Sequence, residues 1–452
     1  MSFASFWKRS QVLRKEFIWV GLGNILAFFG SLAGIKVLTF LLGPEEYGRL
    51  ALGMSIVGLT SLVLYGPSAQ AIWRFFSVYR ERGELGLYFF VFKRAYAVFA
   101  ILVLMVGAVA GLGLRYWAGS DWSWLVALAF LFGMISGTCG GLTSLQSAVR
   151  DRSVVALHQG ADPWLRLALA VAVLHWLGPH SPIALLGYAL GTALVTASQL
   201  VFLRKRDDVR AHWDAPAPGR MELRASFREL WAFASPFVLW SAMATLSSYS
   251  DRWILQGLFG PREVGIYFGL YQIANAPVSL MGVVLGQLVV PIVFERAGSM
   301  TSPAQAKAAS RLFRWSVLLM GLAMVLLTLT MGLFSRFLVR AATTEEFVHH
   351  HAVLGVIALG LSIFQMGQML SMKGLYHNRP SIYILPKLLH GVLSAVLGFV
   401  LAKYFGIPGV AWALCLAAVI YLLAVLVVNR KLDGVRFGAS QLDRRNTWLS
   451  GS

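Results

Sequence analysis

The chain has 452 residues, 58% of them hydrophobic and only 13% charged, and carries a formal net charge of +19. That apolar fraction is more than a soluble domain of this length can bury, so an ordinary water-soluble fold is excluded. The cations are dispersed among short stretches between apolar runs, which argues against nucleic acid as a partner and for a positive-inside bias with attraction to anionic membrane lipids.

Taken in chain order, the sequence predicts an all-α polytopic membrane protein of about twelve helices, each long enough for a hydrocarbon layer of roughly 30 Å. Phe3, Phe6, Trp7, Lys8 and Arg9 read as an interfacial amphipathic lead-in. The first span, 17–42, is too long for a cleaved signal peptide and no A-x-A-like site follows it. Further spans are expected at 50–75, 95–114, 122–145, 154–177 and 183–203. A second set follows at 230–259, 264–293, 315–337, 352–372, 382–401 and 409–428.

Leu41-Leu42-Gly43-Pro44-Glu45-Glu46-Tyr47-Gly48 returns half a chain later as Leu258-Phe259-Gly260-Pro261-Arg262-Glu263-Val264-Gly265, each copy ending one span and opening the next. Such self-similarity marks two related halves, a frequent trait of secondary transporters. An even number of spans per half gives both the same orientation, hence a parallel repeat of two six-helix lobes. The expected layout is an N-terminal lobe at 1–203, a cytoplasmic linker at 204–228, a C-terminal lobe at 229–430 and a cytoplasmic tail at 431–452. The linker, with Pro216 and Pro218 among mixed charges, reads as a solvated connector hugging the membrane.

Most of the 39 Lys and Arg fall on one side, including Arg80 and Arg82, Arg150 and Arg152, and Arg204, Lys205 and Arg206. That side is expected to be cytoplasmic, with both termini on it. Four cations lie inside spans: Lys36, Arg166, Arg252 and Lys387. A cation at a helix centre costs about 2.5–3.5 kcal/mol on insertion scales, so these are the leading site candidates, with Arg74 near the cytoplasmic mouth. Lys36 and Arg252 occupy matching depths on the first helix of each half and are expected to face one another. Asp162 stands four residues before Arg166, on the same helix face, so mutual neutralisation and function are both open. Asp251 directly precedes Arg252, a poor spacing for an ion pair.

Pro163 before Arg166 and Pro386 before Lys387 and His390 suggest helices interrupted around a cavity. Ser247-Ser248-Tyr249-Ser250-Asp251-Arg252 is an uninterrupted polar run at membrane depth, expected to line an aqueous passage together with Asn24. Gly133, Gly137 and Gly141, and Gly30 with Gly34, read instead as packing ridges. Cys139 and Cys415 lie in apolar spans without metal-ligand neighbours and are expected to pack as small hydrophobes. No phosphate-binding loop is present, and His349-His350-His351 lacks the spacing that structural zinc requires, so no cofactor or metal is expected.

The stretch from Lys36 through Gly43-Pro44-Glu45-Glu46-Tyr47-Gly48 to Arg74, Asp251-Arg252-Trp253-Ile254-Leu255, Gly260-Pro261 to Gly265-Ile266-Tyr267, and Phe405-Gly406-Ile407-Pro408-Gly409 together resemble the polysaccharide-transport branch of the multidrug/oligosaccharidyl-lipid/polysaccharide exporter superfamily. That resemblance implies a V-shaped two-lobed fold in the bacterial cytoplasmic (inner) membrane. It also implies a flippase, not an enzyme, that moves undecaprenyl-pyrophosphate-linked oligosaccharide to the outer leaflet by alternating access, in concert with a polysaccharide polymerase or glycosyltransferases. In that frame Lys36, Arg252, Arg166, Lys387 and Arg74 would hold the pyrophosphate. Proton or sodium coupling through Asp162 or Asp251 is the alternative to the membrane potential as driving force. Drug-exporting relatives usually carry an acid in the first helix, where this chain has Lys36, so an organic-cation antiporter is the second reading. A membrane glycosyltransferase or polymerase is the third, disfavoured because no long extracytoplasmic loop is present.

Overall fold

The computed structural model describes the backbone of residues 3–117, 119–297, 303–376 and 380–434, and the side chains of 18–117, 119–284, 311, 313–374 and 381–432. The amino-terminal aromatic and basic side chains, Arg379, and the tail beyond 434 lie outside the described residues. Every regular element among those described is helical. They are α1 (Phe3–Leu59), a π-helical turn (Thr60–Tyr65), α2 (Gly66–Glu81), α3 (Leu85–Trp117), α4 (Ser120–Ala148), α5 (Arg152–Leu177) and α6 (Ser181–Arg204). Then come α7 (Asp207–Trp213), α8 (Arg220–Phe259), α9 (Pro261–Ala297), α10 (Pro303–Leu333), α11 (Ser335–Ala342) and α12 (Glu345–Val348). α13 (Ala352–Tyr376), a 3-10 turn (Pro380–Tyr383) and α14 (Ile384–Gly434) complete the chain.

Eight stretches of the described residues are long and apolar enough to cross a membrane. Two of these, 18–81 and 381–432, are double spans. Each is divided by a glycine in the left-handed region, Gly43 (φ 67°) in α1 and Gly406 (φ 61°) in α14. Only glycine accepts that backbone without strain, and the prolines at 44 and 408 suit the opening turn of the helix that follows. Gly260 (φ 94°), followed by Pro261, makes the same turn between α8 and α9. α5 and α9, of 26 and 37 residues, are helices at the other two positions where spans are expected, but over their described residues they are not apolar enough to stand with those eight.

One apolar core runs through both halves, from Ile35, Leu38, Tyr47 and Leu50 to Tyr267, Phe268, Phe347 and Leu354. A second, rich in aromatics, sits at the opposite end of the N-terminal half around Tyr65, Tyr79, Tyr88, Phe89 and Trp213. The glycine ridge of α4 receives side chains at each step, Thr60 over Gly133, Tyr65 over Gly137 and Tyr96 over Gly141. Gly30 likewise seats Trp164. We call the end holding the Gly43 and Gly260 turns the Gly–Pro end, and the end holding Arg82, Arg204 and α7 the basic end.

Two expectations change. The connector is not simply solvated. α7 folds onto the N-terminal half, burying Val209 and Trp213, while Lys93 donates to the Trp213 carbonyl and both Lys93 and Arg204 stand over the indole. α8 begins at Arg220, inside the stretch assigned to the connector. Nor are the proline-bearing helices interrupted in matching places. α5 is continuous through Pro163, and Pro386 lies in the opening turn of α14, where an absent N–H costs little.

Candidate functional site

The two halves meet along the second arm of α1, the π turn, α2, α8 and α9. At the Gly–Pro end the contact is reciprocal. A Cβ on Gly48 would lie 1.8 Å from the Pro261 carbonyl oxygen, and one on Gly265 would lie 1.8 Å from that of Pro44. The repeated octapeptide therefore builds a backbone-to-backbone crossing about a pseudo-twofold axis, which any side chain at those two glycines would wedge apart. Tyr47 packs on Phe268 at 5.3 Å between ring centres, and its edge meets Phe347. Further along the seam the Tyr249 hydroxyl tucks against Gly58, and Ser241 approaches Gly66. At the basic end Phe75 meets Phe233 edge-on at 5.5 Å. There Arg82 pairs with Glu229 at 3.2 Å, and Tyr79 donates to the same carboxylate at 3.1 Å. That carboxylate holds the Arg82 guanidinium above its usual pKa.

The candidate cations have separate partners. Lys36 and Arg252 stand at similar distances from their Gly–Pro turns, but the expectation that they face one another as a pair does not describe their contacts. The Lys36 ammonium donates to the backbone carbonyls of Arg340, at 3.2 Å, and Thr343, at 2.5 Å. Arg252 is only 4% exposed and is enclosed by rings, its guanidinium carbon 4.8 Å from the centre of Tyr249, 4.6 Å from Phe268 and 5.6 Å from Tyr271. Asp251 accepts the backbone N–H of Arg252, at 2.8 Å, as an acceptor one residue back in the helix. A guanidinium within reach of three aromatic rings is held by cation–π attraction in a desolvated setting, and its buried Nε has no hydrogen-bond partner among the described residues.

Arg166 is satisfied within the N-terminal half. Its Nε donates to Asp162 at 3.0 Å and to Thr192 at 2.7 Å, a terminal nitrogen pairs with Asp162, and Phe132 lies under the guanidinium at 5.2 Å. The four-residue spacing thus yields a closed pair with a third member from α6. Lys387 has no carboxylate partner among the described residues. Its ammonium sits 3.9 Å from the centre of the Trp240 ring, over the face presented by α8. Arg74 is exposed on α2 beside Phe75, in a polar stripe with Gln70 and Ser77 at helical spacing, and no carboxylate pairs with it.

The polar run on α8 is divided among neighbours. Ser247 bonds His390 Nδ1 at 2.8 Å, Tyr249 spans the seam and rests on Arg252, and Ser248 and Ser250 are half-buried. Asn24 donates to the Val20 carbonyl of its own helix at 2.8 Å. Residues that sequence reasoning did not assign include Tyr47, Phe268, Tyr271, Trp240 and Glu229. His390 was visible beside Lys387, but its bond to Ser247 joins helices far apart in the chain. The others carry no signal apart from being aromatic or acidic near a span end.

Asp162 is thus closed by Arg166, whereas Lys387, Lys36 and the exposed Arg74 have no carboxylate partner among the described residues. Such an arrangement suits an anionic guest. The sequence profile of the family described as "Polysaccharide biosynthesis protein" matches residues 13–296, more than half of the chain. The chain belongs to that family. No curated protein matches it in sequence. Among solved structures, the chain is similar in fold to the lipid II flippase MurJ in an inward closed conformation, at 14% identity and a TM-score of 0.68 over 91% of this chain and 87% of that one. It is also similar to an inward-facing multidrug resistance MATE transporter, at 14% identity and a TM-score of 0.66 over 92% and 96% of the two chains. A third is a transporter from Pyrococcus furiosus described as having a binding pocket of reversed polarity, at 13% identity and a TM-score of 0.59 over 93% and 96%. The latter two are described as transporters of the MOP superfamily, and this chain shares their fold.

Proposed function

We propose that the protein flips an anionic lipid-linked oligosaccharide, carried on undecaprenyl pyrophosphate, from the cytoplasmic to the outer leaflet of the bacterial inner membrane by alternating access of its two lobes. The observation that carries this reading is the charge balance at membrane depth. Asp162 is taken by Arg166, and Asp251 accepts the backbone N–H of Arg252, whereas Lys387 and Arg74 have no carboxylate partner among the described residues. An organic cation would need the opposite balance. The family, with its link to polysaccharide synthesis, and the likeness in fold to a flippase for another lipid-linked saccharide support the same direction.

In this reading Arg74 and Lys387 contact the pyrophosphate, the sugars occupy the wet seam between lobes, and the polyprenyl chain stays in the bilayer. Both termini and the basic end face the cytoplasm, in line with the placement of Lys and Arg. Moving negative charge outward is favoured by about 2.3 kcal/mol per charge per 100 mV, so the membrane potential supplies a drive without a coupled ion. Glycosyltransferases would supply the substrate and a polymerase would consume it.

The test is flipping of a labelled lipid-linked oligosaccharide in proteoliposomes under an imposed potential. Lys387→Gln and Arg74→Gln are each expected to slow flipping about tenfold or more, the loss of one charge-assisted contact of about 1.5–3 kcal/mol. Undiminished flipping in both variants, or efflux of organic cations by the parent protein, would overturn the reading.

A further inference from the structure

We propose that α11 and α12 form a clasp, with Lys36 as its pin, that holds the two lobes shut at the Gly–Pro end and releases when that end opens. The inference rests on the transporter reading for its role in a cycle, though not for its geometry. Lys36 belongs to the first arm of α1, in the N-terminal half, and its acceptors belong to the C-terminal half, more than three hundred residues away. The acceptors are the carbonyls that the last turn of α11 leaves unpaired. The Val339 carbonyl is already used by the Thr343 N–H and hydroxyl, and Lys36 takes those of Arg340 and Thr343. An ammonium at the C-terminal end of a helix completes its cap and meets the negative end of its dipole.

An exposed lysine two turns from a helix end in a membrane span would ordinarily extend to the membrane interface and stay hydrated. Here it turns onto the other lobe. The next element secures the same junction, since Phe347 of α12 is fully buried between the Tyr47 ring and Gly269. Lys36 is therefore spent on closure and does not serve as a cation for the substrate, a role left to Lys387 and Arg74. As each lobe keeps its own fold when the seam parts, opening this end must break these two hydrogen bonds and undo the packing of Phe347, along with the Tyr47–Phe268 contact and the Gly48–Gly265 crossing. A backbone carbonyl accepts a hydrogen bond without carrying a full charge, so the pin can release without stranding a buried anion.

The experiment is a distance measurement on the full chain in proteoliposomes, with Cys139 and Cys415 replaced by serine and spin labels at Trp176→Cys and Phe405→Cys. Those two exposed positions lie on opposite lobes at the Gly–Pro end and outside α11 and α12. Lys36→Gln is expected to at least double the long-distance population, and Lys36→Arg, which keeps a donor for the carbonyls, to restore the parent distribution. If Lys36→Gln does not insert, Phe347→Ala takes its place, with the same expectation. A distribution unchanged by the substitution, including one accompanied by a lower melting temperature, would overturn the clasp and leave Lys36 a merely stabilising residue. The readout needs no substrate, so its failure is separate from any failure of flipping.

Discussion

The two ends of the seam between lobes are closed by different physics. At the Gly–Pro end, backbone lies against backbone at Gly48 and Gly265, the surrounding Tyr47, Phe268 and Phe347 are buried, and Lys36 adds hydrogen bonds to carbonyls. At the basic end, one aromatic edge and an ion pair between half-exposed side chains, Arg82 and Glu229, hold α2 to α8. A surface ion pair is screened by salt and contributes little, whereas buried packing does not depend on ionic strength. The difference teaches that the basic end has the weaker closure of the two, and the one that salt can loosen.

The largest expected effect that breaks this comparison comes from filling the crossing. Gly265→Ala or Gly48→Ala places a methyl group against a backbone carbonyl that cannot rotate away, and overpacking of this kind costs about 1–3 kcal/mol. Thermal unfolding in detergent should fall in both variants to a similar extent, as the pseudo-twofold relation requires. A loss confined to one of them would show that the crossing is not shared equally.

Next in size is a control inside one lobe. Asp162→Asn leaves Arg166 with Thr192 and Phe132 but no carboxylate, and removal of a charged hydrogen-bond partner costs about 1.5–3 kcal/mol. The double variant with Arg166→Gln should recover part of that loss. Since neither residue crosses the seam, stability should drop while the inter-lobe distances at both ends stay as they were; a shift in those distances would mean that the pair takes part in gating.

The smallest effect is expected from Glu229→Gln. It removes the carboxylate that Arg82 and Tyr79 share, and the change should appear as greater labelling of a basic-end cysteine, with little change in unfolding temperature. Raising the salt concentration on the parent protein should move labelling in the same direction. Exchanging the charges, Arg82→Glu with Glu229→Arg, should return labelling toward the parent level. No sensitivity to salt would place the closing force in the Phe75–Phe233 contact.

Much of the fold was legible because membrane helices announce themselves by length and apolarity, and because glycine followed by proline has only one economical use between two spans. The turns at Gly43 and Gly260 and the division of the last apolar stretch at Gly406 follow from that reasoning. The Asp162–Arg166 pair was legible for the same local reason, since four residues on a helix fix who is adjacent. What sequence could not give was partnership across the chain. Nothing near Lys36 signals that its acceptors are backbone carbonyls beyond residue 339, and nothing near Arg252 signals three rings from two helices. Pro163 misled because a span packed on both sides can absorb a proline without breaking, its freed groups being met by neighbouring helices.

The docking of α7 has a consequence for how far the lobes can travel. With Trp213 buried under Phe89 and pinned by Lys93, the slack between halves is not the whole connector but only residues 214–219, from Asp214 to the start of α8 at Arg220. Six residues fully extended reach roughly 20 Å, and two of them are prolines that resist folding back. The chain is thus moored to one lobe by a short stay, and the foot of α8 can swing through an arc of that radius and no further.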